Sequence, residues 1–341
     1  MKIKRLLYAP NVHTGGGKVL LLPLLELLRE ANDVLFILDS RLELPFNLVG
    51  DVHRVDPTLT SRFRMELMLR HLVSPSMLLL CMGSLPPLFV REGVQHVFVQ
   101  NRYLVNDVPL NNYTIRMRFR ISLERLWLRS RATQVRRFIV QTPTMQLLVK
   151  RTLGVSASVL PFIGNVGPAH GSLVHKVSKL KYDFLYVASG ELHKNHKNLI
   201  SAWAIMATDG LRPSLCLTLD ENNSPSLCAW VNEAIEKYDL NVSVIGECAH
   251  SEINDLYRQS GALVYPSLLE SFGLPLIEAA IFGLPILGSD SSYVTDVVEP
   301  SGVFNPNSPQ AIAEVVRSCN NEPAVLKISL LNGAAFLDEV F

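Results

Sequence analysis

Short apolar runs alternate with amphipathic stretches along this chain. In the first half IKRLLYA, DVLFILD, MLLLCM, HVFVQ and RFIVQT read as buried strands, and helical periodicity covers 17–31, 62–72, 114–134 and 143–153. In the second half the strands are YDFLYVAS, LCLTLD, NVSVIG, ALVYP and PILGSD, with helices predicted near 198–208, 225–238, 251–260, 274–283 and 308–318. Strand and helix in such regular order predict right-handed crossovers and parallel sheets with helices on both faces. PFIGNVGPAHGSLVHKVSK, from Pro161 to Lys179, breaks the pattern with Gly, Pro, Ser and His. A boundary is therefore expected there: a first doubly wound domain over 1–164, a linker over 165–180, a second over 181–330, and a terminal helix over 331–341. Two such domains are expected to bind ligand at the carboxyl ends of their strands, across a cleft.

Composition adds bounds. Hydrophobic residues are 48% of the 341 and charged ones 18%, a globular balance, and the formal charge of +1 gives no global attraction to nucleic acid or anionic membrane. Cys81, Cys216, Cys228, Cys248 and Cys319 are scattered without a Cys-x-x-Cys spacing, so no zinc site is expected, and a reducing cytoplasm suits them. MKIKRLLYAP resembles the start of a signal peptide, but Pro10, Asn11, His13 and the glycine run interrupt its apolar core, so a first strand is expected. No run reaches the roughly 18 apolar residues of a spanning helix. The expected location is the cytoplasm, at most peripheral to a membrane.

Three stretches carry chemistry. NVHTGGGK, Asn11 to Lys18, follows the first strand and precedes an apolar helix. Its glycines allow a tight turn and close approach, and free helix-start amides favour an anion. It matches neither the P-loop, since Val19 follows the lysine, nor G-x-G-x-x-G. A plain turn needing positive φ would also use glycine, but Gly15, Gly16 and Gly17 are more than one turn requires. SGELHKNHKNLISAW, Ser189 to Trp203, places His193, Lys194, His196 and Lys197 at a helix start, where four cations would oppose the dipole unless an anion compensates. A solvated basic loop is the alternative. In LLESFGLPLIEAAIFGLP, Leu268 to Pro285, Glu270 falls in a loop after a strand and Glu278 in the helix that Pro275 opens and Gly283 closes. The amides of Phe272, Gly273 and Leu274 lie between them, available to a diphosphate, and Glu278 could accept two ribose hydroxyls. A helix-dipole role for Glu278 and simple solvation for Glu270 are the alternatives.

From Leu256 to Pro306, LYRQSGALVYPSLLESFGLPLIEAAIFGLPILGSDSSYVTDVVEPSGVFNP closely resembles the retaining family-four, group 1 glycosyltransferases of the GT-B fold, whose signature is two glutamates with seven residues between them in P-S-x-x-E-x-F-G-L-P-x-x-E-A. Weaker likeness extends to the GGG loop, the K-N-H-x-x-L-I-x-A helix start, and the FIVQT and LPF segments. The resemblance implies two Rossmann-like domains facing across a cleft. It implies that Gly15, Gly16 and Gly17 meet the donor phosphates, that Lys194 neutralises the diphosphate, that Glu270 contacts the transferred sugar, and that Glu278 holds the ribose. Where the family commonly carries an arginine, this chain has Ser189, so Lys197, His193 or a residue elsewhere would have to replace its charge, or the site is weaker. Where many members carry a histidine near a middle strand, this chain has VQNRYL, and Asn101, Arg102 or Gln100 is the candidate on the acceptor side.

The implied reaction moves a glycosyl group from a nucleoside diphosphate sugar to an acceptor hydroxyl with retention, displacement proceeding from the same face without a protein nucleophile. No Asp-x-Asp pair is present for a divalent metal, so no metal or other cofactor is expected, and Lys194 with the loop amides would stabilise the leaving group. A surface polysaccharide or a lipid-linked glycan is the expected acceptor. A nucleotide-sugar epimerase and a non-catalytic GT-B-like subunit remain as alternatives, Ser189 favouring the latter. Residues 113–137, with eight arginines among apolar residues, could lie on an anionic bilayer or form a solvated face over a buried leucine stripe. No nucleic-acid partner is expected, because no recognised module appears. The family usually finishes with helices that cross back to the first domain, so the expectation is that either this member is short at its end or the terminal helix over 331–341 is the start of a return helix only partly present.

Overall fold

The computed structural model describes residues 3–106, 110, 113–164, 180–320 and 322–341. They form two compact units: 1–165 with 329–341, and 166–328. The predicted linker lies almost entirely outside the described residues.

The first unit is built on a parallel sheet of β1 (Arg5–Ala9), β2 (Val34–Asp39), β3 (Asp51–Val55), β4 (Leu78–Cys81), β5 (Val94–Phe98), β6 (Arg137–Val140) and β7 (Ala157–Val159). Their order is β3-β2-β1-β4-β5-β6-β7. The apolar runs become strands because both faces are covered: Leu6, Tyr8, Leu35, Ile37, Leu79 and Cys81 enter one core layer, while alternate residues face the opposite way. On that second face Phe98, Phe162 and Phe336 cluster, the last two stacked at 3.9 Å between ring centroids. Helices α1 (Gly15–Leu27), α2 (Leu59–Leu72), α3 (Ile115–Arg131) and α4 (Pro143–Leu153) supply the crossovers.

The second unit has a six-stranded parallel sheet of β8 (Tyr182–Tyr186), β9 (Leu215–Leu217), β10 (Val242–Val244), β11 (Ser260–Tyr265), β12 (Ile286–Ser289) and β14 (Gly302–Phe304), ordered β10-β9-β8-β11-β12-β14. A small antiparallel pair joins β13 (Val298–Glu299) to β15 (Val325–Leu326). Its helices are α5 (His196–Thr208), α6 (Pro225–Tyr238), α7 (His250–Arg258), α8 (Leu274–Ile281), α9 (Ser292–Thr295) and α10 (Pro309–Arg317); α11 (Gly333–Val340) packs in the first unit and carries Phe336.

Five strands escape the sequence reading: β3, β7 and β14 of the main sheets, and the two-residue β13 and β15. β3 reads DVHRV and is exposed at four of its five positions, so it has no apolar pattern to detect. β7 and β14 are three residues long, too short for a period to develop. Both main sheets reverse direction of growth once, between β1 and β4 in the first unit and between β8 and β11 in the second. Loops leaving the two central strands diverge there and open a crevice at their carboxyl ends.

Candidate functional site

At the second unit's reversal point the loop after β8 and the loop after β11 are tied together. The amide of Leu268 donates to the carbonyl of His193 at 2.7 Å. Asn195 sits at φ +62, which Asn tolerates better than most residues. From there its side-chain amide donates to the carbonyls of Pro266 and Pro306 at 3.0 and 2.7 Å. The Tyr186 hydroxyl donates to the carbonyl of Lys194 at 2.5 Å, fixing the same turn from the sheet side. Backbone and side chains thus hold two loops in one arrangement, and both carry predicted residues.

Lys194 and Glu270 meet there. Lys194 Nζ lies 2.7 Å from Glu270 Oε1, with side-chain exposures of 15% and 11%. Glu270 Oε1 also accepts from the Tyr265 hydroxyl at 3.0 Å and lies 2.6 Å from Ser267 Oγ. Ser267 Oγ is 3.1 Å from the His193 carbonyl as well, and its single proton goes to the nearer, charged acceptor. Burial pushes the Glu270 pKa up, but the Lys194 charge and these hydrogen bonds outweigh it and hold the carboxyl below its ordinary range. Burial, and after it the Glu270 carboxylate charge, keep the Tyr186 and Tyr265 hydroxyls protonated.

Glu278 has different surroundings. It lies in the second turn of α8, 5% exposed, and accepts from the Tyr257 hydroxyl at 2.8 Å. Burial raises its pKa, with the Tyr257 hydrogen bond and the His250 charge acting the other way. The two glutamates therefore differ in charge state tendency: Glu270 is held ionised by a cation, Glu278 is pushed toward its neutral form by an apolar setting. Between them Gly273 adopts φ +80 at the start of α8, and a Cβ there would come within 2.9 Å of Leu276. Phe272 is buried beside it and Leu274 begins the helix, so the first-turn amides of α8 follow directly on the Glu270 loop.

The basic cluster is smaller than the sequence implies. His196 is buried with neither ring nitrogen hydrogen-bonded, 5.0 Å from the Tyr186 ring, and burial pushes its pKa down to about 4. His193 is shifted down for the same reason. Two of the four expected cations are thereby neutral, which relieves the opposition to the helix dipole that an anion was invoked to relieve. Lys197 points elsewhere, its Nζ 5.6 Å from the centre of the Trp230 ring. Ser189 donates to Glu191, so no cation stands at that position.

In the first unit Gly15, Gly16 and Gly17 form the first turn of α1 rather than a loop before it. Gly15 has φ +60, and a Cβ on Gly17 would sit 3.1 Å from Val12 Cγ1 and 3.4 Å from Gln100 Oε1. The loops after β1, β4 and β5 converge here. Asn11 donates to the Gly83 carbonyl at 3.2 Å and Gln100 Nε2 to the Met82 carbonyl at 2.9 Å. Ser84, buried at φ +66, accepts from the amides of Gln100 and Asn101 at 2.9 and 3.0 Å. A serine held in that region stores on the order of 1–3 kcal/mol of strain, as functional turns often do. Asn101 caps the short turn begun by Arg102, accepting from the Tyr103 amide at 3.0 Å. Among the described residues no group of three His, Cys, Asp or Glu side chains is arranged to hold a metal ion.

Tyr257, Asn195, Ser84 and Ser267 were not singled out from sequence. Asn195 carried a signal as an asparagine just before a helix, and Ser267 as the serine of P-S-x-x-E.

Comparison with known proteins gives this geometry a family. Residues 174–327 match the family described as glycosyl transferases group 1. The second unit is a group 1 glycosyl transferase domain. Sucrose-phosphate synthase 4 of Arabidopsis thaliana is 35% identical to the chain over 104 residues, which is 28% of this chain and 10% of that protein. A probable sucrose-phosphate synthase of Solanum tuberosum is 33% identical over 109 residues, again 10% of its length. The chain thus spans about a tenth of these curated relatives. The solved structure of Anabaena Alr3699/HepE in complex with UDP and glucose aligns with a TM-score of 0.70 over 93% of this chain and 89% of that one, at 14% identity. WaaG, a glycosyltransferase involved in lipopolysaccharide biosynthesis, aligns with a TM-score of 0.64 over 93% and 90%, at 15% identity. The group 1 unit and the first unit together have the GT-B fold class, two parallel-sheet Rossmann-like units, as the resemblance implied.

Proposed function

We propose that the protein moves a glycosyl group from a nucleoside diphosphate sugar to an acceptor hydroxyl, with retention of anomeric configuration and without a metal ion. The observation that carries this reading is the Lys194–Glu270 pair, buried at the reversal point of the group 1 unit. A cation there is placed to take up charge on a departing diphosphate, and the first-turn amides of α8 add dipoles of the same sign. On this reading donor phosphates exchange with Glu270 for Lys194, and Glu270 turns to the hydroxyls of the transferred sugar. Glu278 takes the ribose hydroxyls, whose donated hydrogen bonds favour its ionised form. His193 contributes its backbone carbonyl to loop geometry and, as a neutral ring, a hydrogen-bonding edge rather than a charge. Lys197 plays at most an outer part from its position over Trp230.

In the first unit the unpaired amides of Gly15, Gly16 and Gly17 offer anion contacts, and Asn101 and Arg102 serve the acceptor. A glycan or lipid-linked glycan is the acceptor class proposed. The UDP and UDP-glucose bound in Alr3699/HepE make UDP-sugars the first donors to try. Titration of UDP by calorimetry, with wild type and Glu278→Ala, tests the donor side. Weakened binding in the variant supports the assignment, and equal affinity contradicts it. Proton NMR of the glycoside formed from an α-linked donor tests retention, and a β-linked product refutes it.

The absence of a cation at Ser189 favours one other reading, a subunit that binds a nucleotide sugar without transferring it. Nucleotide binding with no turnover on any acceptor would select that reading.

A further inference from the structure

Helix α3 has two apolar faces. Ile121 and Leu128 are buried, Arg131 donates to the Val90 carbonyl, and the Trp127 indole donates to the Pro86 carbonyl at 3.0 Å, so one face is fixed to the first unit. The opposite face carries Ile115, Phe119, Leu123 and Leu126, with exposures of 83, 65, 50 and 65%. Spacings of four, four and three place these four on one stripe along the helix. Leu123 and Leu126 thus lie outside, and of the leucine stripe expected under a solvated arginine face only Ile121 and Leu128 are buried.

The stripe is flanked by charge of one sign. Arg116 and Arg120 lie along one side of it by helical position, Arg118 and Arg129 along the other, and all four are exposed. Arg120 pairs with Glu124 at 3.6 Å, the helix's single acidic residue. Among the described residues Arg116, Arg118 and Arg129 have no carboxylate within ion-pair distance. Seventeen residues make a rod of about 25 Å, and no described helix is long and apolar enough to cross a membrane. An exposed apolar stripe bordered by unpaired arginines on a helix of that kind is suited to lie in the plane of a lipid surface. A nucleic acid would satisfy the arginines and leave Phe119 and Leu126 in water.

We propose that α3 docks the protein on an anionic phospholipid bilayer, the four apolar side chains entering the headgroup and acyl boundary while Arg116, Arg118 and Arg129 meet lipid phosphates. Arg125 ties this helix to the segment that follows β5, its Nε donating to the Tyr103 carbonyl at 2.8 Å and its Nη2 to that of Asn106 at 2.5 Å. Asn101 and Arg102 begin that segment, so docking sets the acceptor-side turn beside the bilayer. The reason for docking, a lipid-linked acceptor, rests on the glycosyl transfer proposed above; the docking itself does not.

Cosedimentation of the full chain with vesicles of phosphatidylcholine alone, and of phosphatidylcholine with about a third phosphatidylglycerol, tests it. Binding is expected to the anionic vesicles only, and to fall steeply as salt is raised toward about 0.5 M. Arg116→Gln/Arg118→Gln/Arg129→Gln should lower partitioning on the order of 100-fold, about fivefold per arginine. Phe119→Ser/Leu126→Ser should lower it as well, and a tryptophan probe introduced by Phe119→Trp should shift its emission to the blue on anionic vesicles. All variants alter exposed positions, and unchanged circular dichroism and UDP affinity establish that they fold. Equal binding to both vesicle types, or to neither, overturns the proposal. So does a wild-type dimer that Phe119→Ser/Leu126→Ser converts to monomer, which would make the stripe an interface between copies, or retention of an RNA oligonucleotide without retention on vesicles. Vesicle binding needs no donor and UDP titration needs no lipid, so failure of either reading is seen separately.

Discussion

Replacing Lys194 with methionine keeps the stem of the side chain and deletes a charge that lies 2.7 Å from Glu270 Oε1. At that distance an effective dielectric of about 20 gives an attraction of about 6 kcal/mol, most of it offset by desolvation of the two ions. The intact pair is therefore worth little against two apolar residues, whereas breaking it strands a buried charge at a cost of about 3 kcal/mol or more. Lys194→Met strands the Glu270 carboxylate with hydroxyl donors from Ser267 and Tyr265. Glu270→Gln strands the Lys194 ammonium. The double variant strands neither, so its loss in urea unfolding should fall short of the sum of the single losses by about 2 kcal/mol. Turnover should not follow stability. Lys194→Met and the double variant should both lose on the order of 100- to 1,000-fold in glycosyl transfer, because the cation for the leaving diphosphate is gone in each. Additive losses of stability, or a Lys194→Met enzyme with wild-type turnover, would refute the reasoning.

Tyr257→Phe removes the hydroxyl that donates to Glu278 at 2.8 Å and keeps the ring stacked on Phe282; the unpaired acceptor should cost about 1–3 kcal/mol in stability and weaken UDP binding, measured by calorimetry. Because burial raises the Glu278 pKa while ribose hydroxyls favour its ionised form, UDP affinity should rise as pH increases above the ordinary carboxylate range, and Glu278→Gln should flatten that dependence. Burial likewise raises Glu66, which accepts from Tyr8 at 2.7 Å and from the amides of Leu88 and Phe89 at 2.6 and 3.2 Å. A raised carboxyl stabilises the fold below its unfolded-state pKa and loses that contribution as pH climbs through the folded value, so Glu66→Gln should be less sensitive to a pH rise in thermal unfolding. Gly15→Ala, at φ +60, should cost about 1 kcal/mol from backbone strain alone, and Gly17→Ala, whose Cβ would press on Val12, should weaken UDP binding in the same calorimetric titration.

The fold class was legible because buried parallel strands are apolar on both faces and their helices are periodic; β2 and α6 are clear instances. An edge strand such as β3 has no such constraint, and its pairing with β2 depends on backbone hydrogen bonds that any residues can make. At the candidate site, the loop position of Glu270 and the helical position of Glu278 follow from Pro275 and Gly283 acting as punctuation. Their opposite pKa shifts do not, because these depend on Lys194 and Tyr257, which come from other elements. The count of cations before α5 failed for a related reason. Sequence cannot say that His196 lies under Tyr186, where burial leaves it neutral. Helix α3 is the converse case, since its alternating arginines and apolar residues were visible, but which apolar residues face outward was not.

The central claim is transfer from a nucleoside diphosphate sugar. Incubating the full chain with a panel of such donors, with and without lipid-linked and soluble glycan acceptors, and quantifying the nucleoside diphosphate released, tests it most directly. The account predicts release with at least one donor, stimulated by acceptor and abolished by Lys194→Met. No release and no nucleotide binding with any donor would contradict it, and epimerised donor without release would assign the site a different chemistry.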